Sequence, residues 1–125
     1  MPDLRAAQAV AIICVRDRAR ATAFYRDVLG VAFVGEDAYA ATFDLGGMRL
    51  RVSTVEDWTA HAHPVLSFRV PDVPATVETL AERGVAMERY PGFPMDKAGV
   101  LTMGDAGRFA WFKDPEGNVL MLADR

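Results

Sequence analysis

Ala9-Val10-Ala11-Ile12-Ile13-Cys14-Val15-Arg16-Asp17 is an apolar, β-branched run that stops on a charged pair. That pattern is the mark of a buried strand. Directly after it the period changes. Ala21, Phe24, Tyr25, Val28 and Leu29 fall at helical spacing, and Arg18, Arg20, Arg26 and Asp27 take the other face. Asp17 suits the N-cap, because its carboxylate can accept a backbone N–H of the first turn. Gly30 suits the place just after the helix, where φ turns positive. The spacing therefore predicts a strand over 9–15 and a helix over 18–29.

Three further strands are predicted outward from this stretch, over 31–34, 39–44 and 48–53. Gly35-Glu36-Asp37 and Gly46-Gly47 separate them as turns. Residues 55–63 read as a crossover, and then the order recurs. Residues 64–70 read as a strand and Asp72 as an N-cap. Val73, Val77, Leu80 and Ala81 form a helical stripe that Gly84 ends. Strands are predicted over 85–90, 108–112 and 119–123. The loop 91–103 is rich in Gly and Pro, with a short strand at 99–103.

The chain thus reads β-α-β-β-β twice, and an internal repeat of this kind speaks to architecture. Val15-Arg16-Asp17 aligns with Val70-Pro71-Asp72, and Leu29-Gly30-Val31 with Arg83-Gly84-Val85. The fold class predicted is α+β, one domain over 1–125 built of two modules, about 6–57 and about 63–125. A chain of 125 residues is the size of one such domain. An apolar share of 51% against 25% charged residues excludes a disordered chain. The net charge of −3 disfavours a nucleic-acid partner, which needs a basic face. A single cysteine, Cys14, excludes an intrachain disulfide. No apolar run nears the ~20 residues of a spanning helix, so no membrane partner is expected. Met1-Pro2-Asp3-Leu4-Arg5 opens no signal peptide, since the apolar run behind it is short and ends in charge. A cytoplasmic setting is expected.

Two stretches carry a family likeness. Val15-Arg16-Asp17 followed by Phe24-Tyr25-Arg26-Asp27-Val28-Leu29-Gly30 resembles the strand-helix opening of the vicinal oxygen chelate superfamily, which holds glyoxalases, bleomycin-resistance proteins and extradiol dioxygenases. Ala110-Trp111-Phe112-Lys113-Asp114-Pro115-Glu116-Gly117-Asn118 resembles its closing hairpin. The resemblance spans 9–123. It implies two βαβββ modules whose sheets curl into open, cup-like shapes, with the ligand or metal on the concave face. It also implies a homodimer. Packing and turn chemistry account for both motifs by themselves, so they speak to fold before function.

Metal-using relatives take one ligand near the start of the first strand and one in the last strand of each module, usually His, Glu or Gln. Here the corresponding positions are Val10 and Val65, each seven residues before its capping Asp, together with Arg51 and Met121. Such a set makes no oxygen/nitrogen site for a divalent ion. Gln8 reaches the first position only if the register slips by two. His61 and His63, the only histidines, sit in the crossover, where an exposed pair is favoured over a weak metal clip. The resemblance together with these positions points to the metal-free branch, with no metal and no cofactor.

Other side chains are weighed against ordinary packing. Arg49, Arg51 and Arg69 share the concave faces if Leu50, Val52, Leu66, Phe68 and Val70 face the helices. They then suit an anionic or carbonyl-rich ligand, unless they line a solvated rim or pair with Asp44, Glu56 or Glu88. Phe109 and Trp111, with Tyr90 and Phe93, are candidates for a flat wall. Cys14 shares a side with Val10 and Ile12 and reads as inert. Asp96 and Lys97 read as surface charge. No phosphate loop, nucleophile elbow or redox Cys pair is present, and no catalytic residue is assigned. The expected function is metal-independent binding of a small organic molecule, with Val10, Val65 and Met121 as apolar lining. The alternative is a glyoxalase- or dioxygenase-like lyase, isomerase or oxidoreductase acting with a divalent metal on a small carbonyl or diol. A dimeric regulatory or interaction module is a third reading.

Overall fold

Asp17 and Asp72 each end a strand and begin a helix. In the computed structural model, which describes residues 3–125, the Asp17 carboxylate accepts the Arg20 backbone N–H at 3.1 Å. Asp72 accepts that of Ala75 at 3.0 Å. Gly30 and Gly84 follow the helices with φ of 76° and 85°. Both stop signals therefore act as the sequence predicts. Met1 and Pro2, where the N-terminal reading begins, lie outside the described residues. The chain divides into two compact units, Met1–Trp58 and Thr59–Arg125.

The first unit runs β1 (Val10–Val15), α1 (Arg18–Ala23), a π-helical turn (Phe24–Val28), β2 (Ala32–Glu36), β3 (Ala40–Leu45) and β4 (Met48–Thr54). The predicted helix over 18–29 is thus two pieces. Leu29 N–H reaches Phe24 C=O at 3.0 Å, one residue further than an α-helix allows. The strand order is β1-β4-β3-β2, with β1 parallel to β4 and the other pairs antiparallel. Gly46 and Gly47, at φ 59° and 88°, make the two-residue turn between β3 and β4.

Strand alternation sends Ile13, Val15, Leu50, Val52 and Phe43 to one face, all within 2% of full burial. Helix α1 contacts β3 and β4. Tyr25 is fully buried, 6.0 Å ring to ring from Phe43. Each such side chain contributes about 1.5–3 kcal/mol by leaving water. The opposite face carries no helix of this unit.

The second unit runs β5 (Pro64–Arg69), α2 (Val73–Glu82), β6 (Leu101–Thr102), a 3-10 turn (Gly104–Ala106), β7 (Arg108–Lys113) and β8 (Val119–Ala123). Its order, β5-β8-β7-β6, repeats that of the first, again with first strand parallel to last. Val73, Val77, Leu80, Ala110, Phe112, Leu120 and Leu122 form the core. The α+β class and the open two-module architecture read from the sequence are those observed.

One expectation fails. Residues 85–90 form no strand. The free edge of β7 is taken by β6, whose Leu101 and Thr102 pair with Phe109 and Arg108. From 85–90 a single backbone bond reaches β7, Glu88 N–H to Trp111 C=O at 2.7 Å. An edge can be laddered only once, so the short strand expected at 99–103 displaces the longer one. No described helix is long and apolar enough to cross a membrane.

Candidate functional site

The helix-free face of the first unit is built by three strands in register. Val10 lies beside Arg49 and Ile12 beside Arg51 across the parallel pair. Arg51 lies beside Thr42 and Arg49 beside Asp44 across the hairpin. These residues share a face because Leu50 and Val52, which alternate with the arginines, are fully buried on the other. Of these, Val10, Thr42, Arg49 and Arg51 border, with Val34, Gly35, Glu36 and Asp37, a hollow of about 450 Å³.

The two arginines of the hollow differ in status. Arg51 donates through Nη2 to Asp37 Oδ2 at 3.1 Å and through Nη1 to Thr42 Oγ1 at 3.4 Å. The other Asp37 oxygen accepts the backbone N–H groups of Tyr39 at 2.8 Å and Ala40 at 3.0 Å. The Tyr39 N–H, then Arg51, then the Ala40 N–H hold the Asp37 carboxyl below its usual range. Arg49 makes no ion pair within 4.0 Å among the described residues, although Asp44 is its ladder neighbour. The pairings weighed from sequence, with Asp44, Glu56 or Glu88, give way to Asp37 for Arg51. Glu88 pairs instead with Lys113 at 3.3 Å.

In the second unit the helix-free face is aromatic. Trp111 lies across from Met121, and Met121 across from Ser67. Phe109 shares a row with Ala123 and, beyond it, exposed Arg69. The Trp111 ring centroid is 6.2 Å from Phe109, 6.4 Å from Phe93 and 5.7 Å from Tyr90. Phe112, between Phe109 and Lys113 on the same strand, points the other way and is buried. Burial lifts the Tyr90 phenol above its usual value, Glu88 adds to the rise, and Lys113 opposes it. Val65 sits at a register shift between Pro64 and Leu66, where it is 38% exposed.

The structure therefore groups Val10, Arg49 and Arg51 on one sheet, and Arg69, Phe109, Trp111 and Met121 on the other. Asp37, Thr42 and Val34 are lining residues that sequence reasoning passed over. The Gly46-Gly47 turn is the signal that sets Thr42 opposite Arg51. Asp37 carries only a turn signal. Cys14 is half-buried beside Ser53 on the helix-free face. Asp96 serves a turn, since its carboxylate accepts the N–H groups of Ala98 and Val100, both at 2.9 Å.

A divalent ion needs lone pairs on oxygen, nitrogen or thiolate sulfur. Val10 and Val65 have none, Arg51 is a cation, and Met121 offers a soft thioether only. No register slip brings Gln8 into β1, because the ladder begins at Val10 opposite Arg49. Among the described residues no three His, Cys, Asp or Glu side chains gather to hold an ion. The His61 and His63 rings stack, 5.4 Å apart and 6° from parallel. A metal lies near the plane of each imidazole it binds, and stacked parallel planes do not meet at one ion. The residues present do not fit the metal of the chelating relatives.

The Glyoxalase/Bleomycin resistance protein/Dioxygenase superfamily model matches residues 7–122. No curated protein matches significantly in sequence. Among solved structures, UcmS2 is 21% identical, with 97% of this chain and 99% of that one covered at a TM-score of 0.76. The genomically encoded fosfomycin resistance protein FosX from Listeria monocytogenes is 15% identical, with 94% and 92% covered at 0.71. A superfamily member from Sphaerobacter thermophilus is 26% identical, with 97% and 98% covered at 0.70.

Proposed function

The chain belongs to the glyoxalase/bleomycin resistance protein/dioxygenase superfamily, and on that premise we propose that it binds a small organic molecule without a metal ion. One observation carries this reading: Val10, Val65, Arg51 and Met121, at the positions the family resemblance assigns to metal ligands, offer no set of donors for a divalent ion. A cation set there would lose its water shell and gain no charged partner, a cost that packing does not offset. The helix-free faces support binding. They offer apolar and aromatic surface with a few polar anchors, the usual make-up of a small-molecule site. On the first unit's face Arg49 and Arg51 are anchors; on the second unit's face Trp111 and Phe109 are walls and Arg69 is an anchor. A homodimer in the cytoplasm belongs to the same proposal.

Elemental analysis of protein purified without chelator tests it, joined to a thermal-shift screen of small organic molecules. Well under one divalent ion per chain is expected, with a ligand that raises the melting temperature by binding the folded state. Arg51→Ala is expected to weaken that ligand without unfolding the protein. A stoichiometric divalent metal would overturn the reading in favour of a metal-using lyase, isomerase or oxidoreductase.

A further inference from the structure

We infer that the hollow on the helix-free face of the first unit is a site for a singly charged organic acid, a carboxylate with an apolar tail. The inference rests on the binding function proposed above and names its ligand class. Arg49 is the primary anchor. Arg49 borders the hollow, and its guanidinium makes no ion pair within 4.0 Å among the described residues. A planar fork of N–H donors matches the two oxygens of a carboxylate.

Arg51 is a second donor, already fixed. Asp37 and Thr42 hold it, and Asp37 is held in turn by the Tyr39 and Ala40 N–H groups. Ordering that side chain therefore costs the complex little. Beside the two arginines stand Val10, Ile12 and Val34, exposed by 47%, 61% and 52%. Such a group of exposed apolar side chains marks a surface that a ligand covers. The volume of about 450 Å³ suits a small organic molecule.

Charge selects within the anions. Asp37 neutralises Arg51, and Asp44 shares the face with Arg49. Glu36 is drawn to Arg18, 3.7 Å away. One added negative charge meets one unpaired guanidinium. A dianionic phosphate ester meets the same guanidinium and the carboxylates of Glu36, Asp37 and Asp44, which repel its second charge.

Octanoate, methyl octanoate and octyl phosphate are the probes, followed by amide chemical shifts of the full chain. Octanoate is expected to move the amides of Val10, Thr42, Arg49 and Arg51 in a saturable way. The ester and the phosphate are expected to bind at least tenfold more weakly. Arg49→Ala should weaken octanoate tenfold or more with an unchanged melting temperature, and Arg49→Lys should fall between, since an ammonium lacks the fork. Equal binding of acid and ester overturns the inference, as does octanoate binding that survives Arg49→Ala. If metal-free protein binds neutral compounds while octanoate leaves these amides still, this inference falls and the binding reading stands. If octanoate binds through Arg49 in a protein that carries a stoichiometric metal, the binding reading falls and this inference stands.

Discussion

Asp114→Ala should be among the most damaging single changes in the second unit. Asp114 is 4% exposed, and its carboxylate accepts three bonds at 2.9 Å. Two come from the backbone N–H groups of Glu116 and Asn118, and one from the Asn118 side-chain amide. Asn118 is fully buried. Removing the carboxylate leaves these donors without it, and a buried unsatisfied donor costs about 1–3 kcal/mol. Glu116 lies nearer solvent and recovers part of its share from water. A loss of about 4 kcal/mol follows. Asp114→Asn keeps one carbonyl acceptor and sets its own NH2 against that of Asn118, so about 2 kcal/mol is expected. Urea unfolding is the assay. With m of about 2 kcal/mol/M, the alanine variant should lower the midpoint by about 2 M at constant m. An alanine variant within 1 kcal/mol of the parent, or an asparagine variant as damaged as alanine, would refute the reasoning.

The Asp37 carboxyl should titrate below the ~3.9 of a free aspartate. Because its folded value is depressed, its contribution to stability is present above ~3.9 and lost as pH falls through the folded value. Carbon-detected NMR titration would show this, and Arg51→Ala should bring the midpoint only part of the way back, since the Tyr39 N–H is the larger cause; a midpoint at or above 3.9 in the parent contradicts the assignment. Gly99→Ala should destabilise by about 1–3 kcal/mol, because the new Cβ would lie 2.8 Å from Met87 Cβ at a φ of 93°. Gly92→Ala, at φ 89° with open space around it, should cost only about 1–2 kcal/mol; equal thermal shifts in the two variants would remove the contact with Met87 from the account.

Local chemistry was legible where one residue fixes the outcome. Asp17, Asp72, Gly30 and Gly84 bound the helices, and Gly46-Gly47 closes a hairpin. Strict alternation around Leu50 and Val52 placed Arg49 and Arg51 on one face. Competition between segments was not legible. The stretch 85–90 has strand composition, but which segment takes the edge of β7 is decided by the path of the loop 91–103. Arg89 helps to fix that path by donating to the carbonyls of Asp96 and Lys97 at 2.7 and 3.2 Å. The pairing of Arg51 with Asp37 was hidden for a similar reason. It depends on the register of the hairpin and on the bulge between Phe33 and Gly35, neither of which composition records.

The parallel seating of first strand on last imposes an order of assembly. A hairpin such as β3–β4 closes through its own two-residue turn, and short loops close first. A parallel neighbour has no such route and needs a long excursion of chain. Val10 waits for Arg49, and Pro64 waits for Val119. On the ribosome, β1 emerges early and stays without a partner while α1, β2 and β3 are made, and β5 waits likewise for β8. The juxtaposition of Val10 and Ile12 with the two arginines therefore needs the whole chain from β1 through β4, and the hollow is complete only once β1 has joined β4.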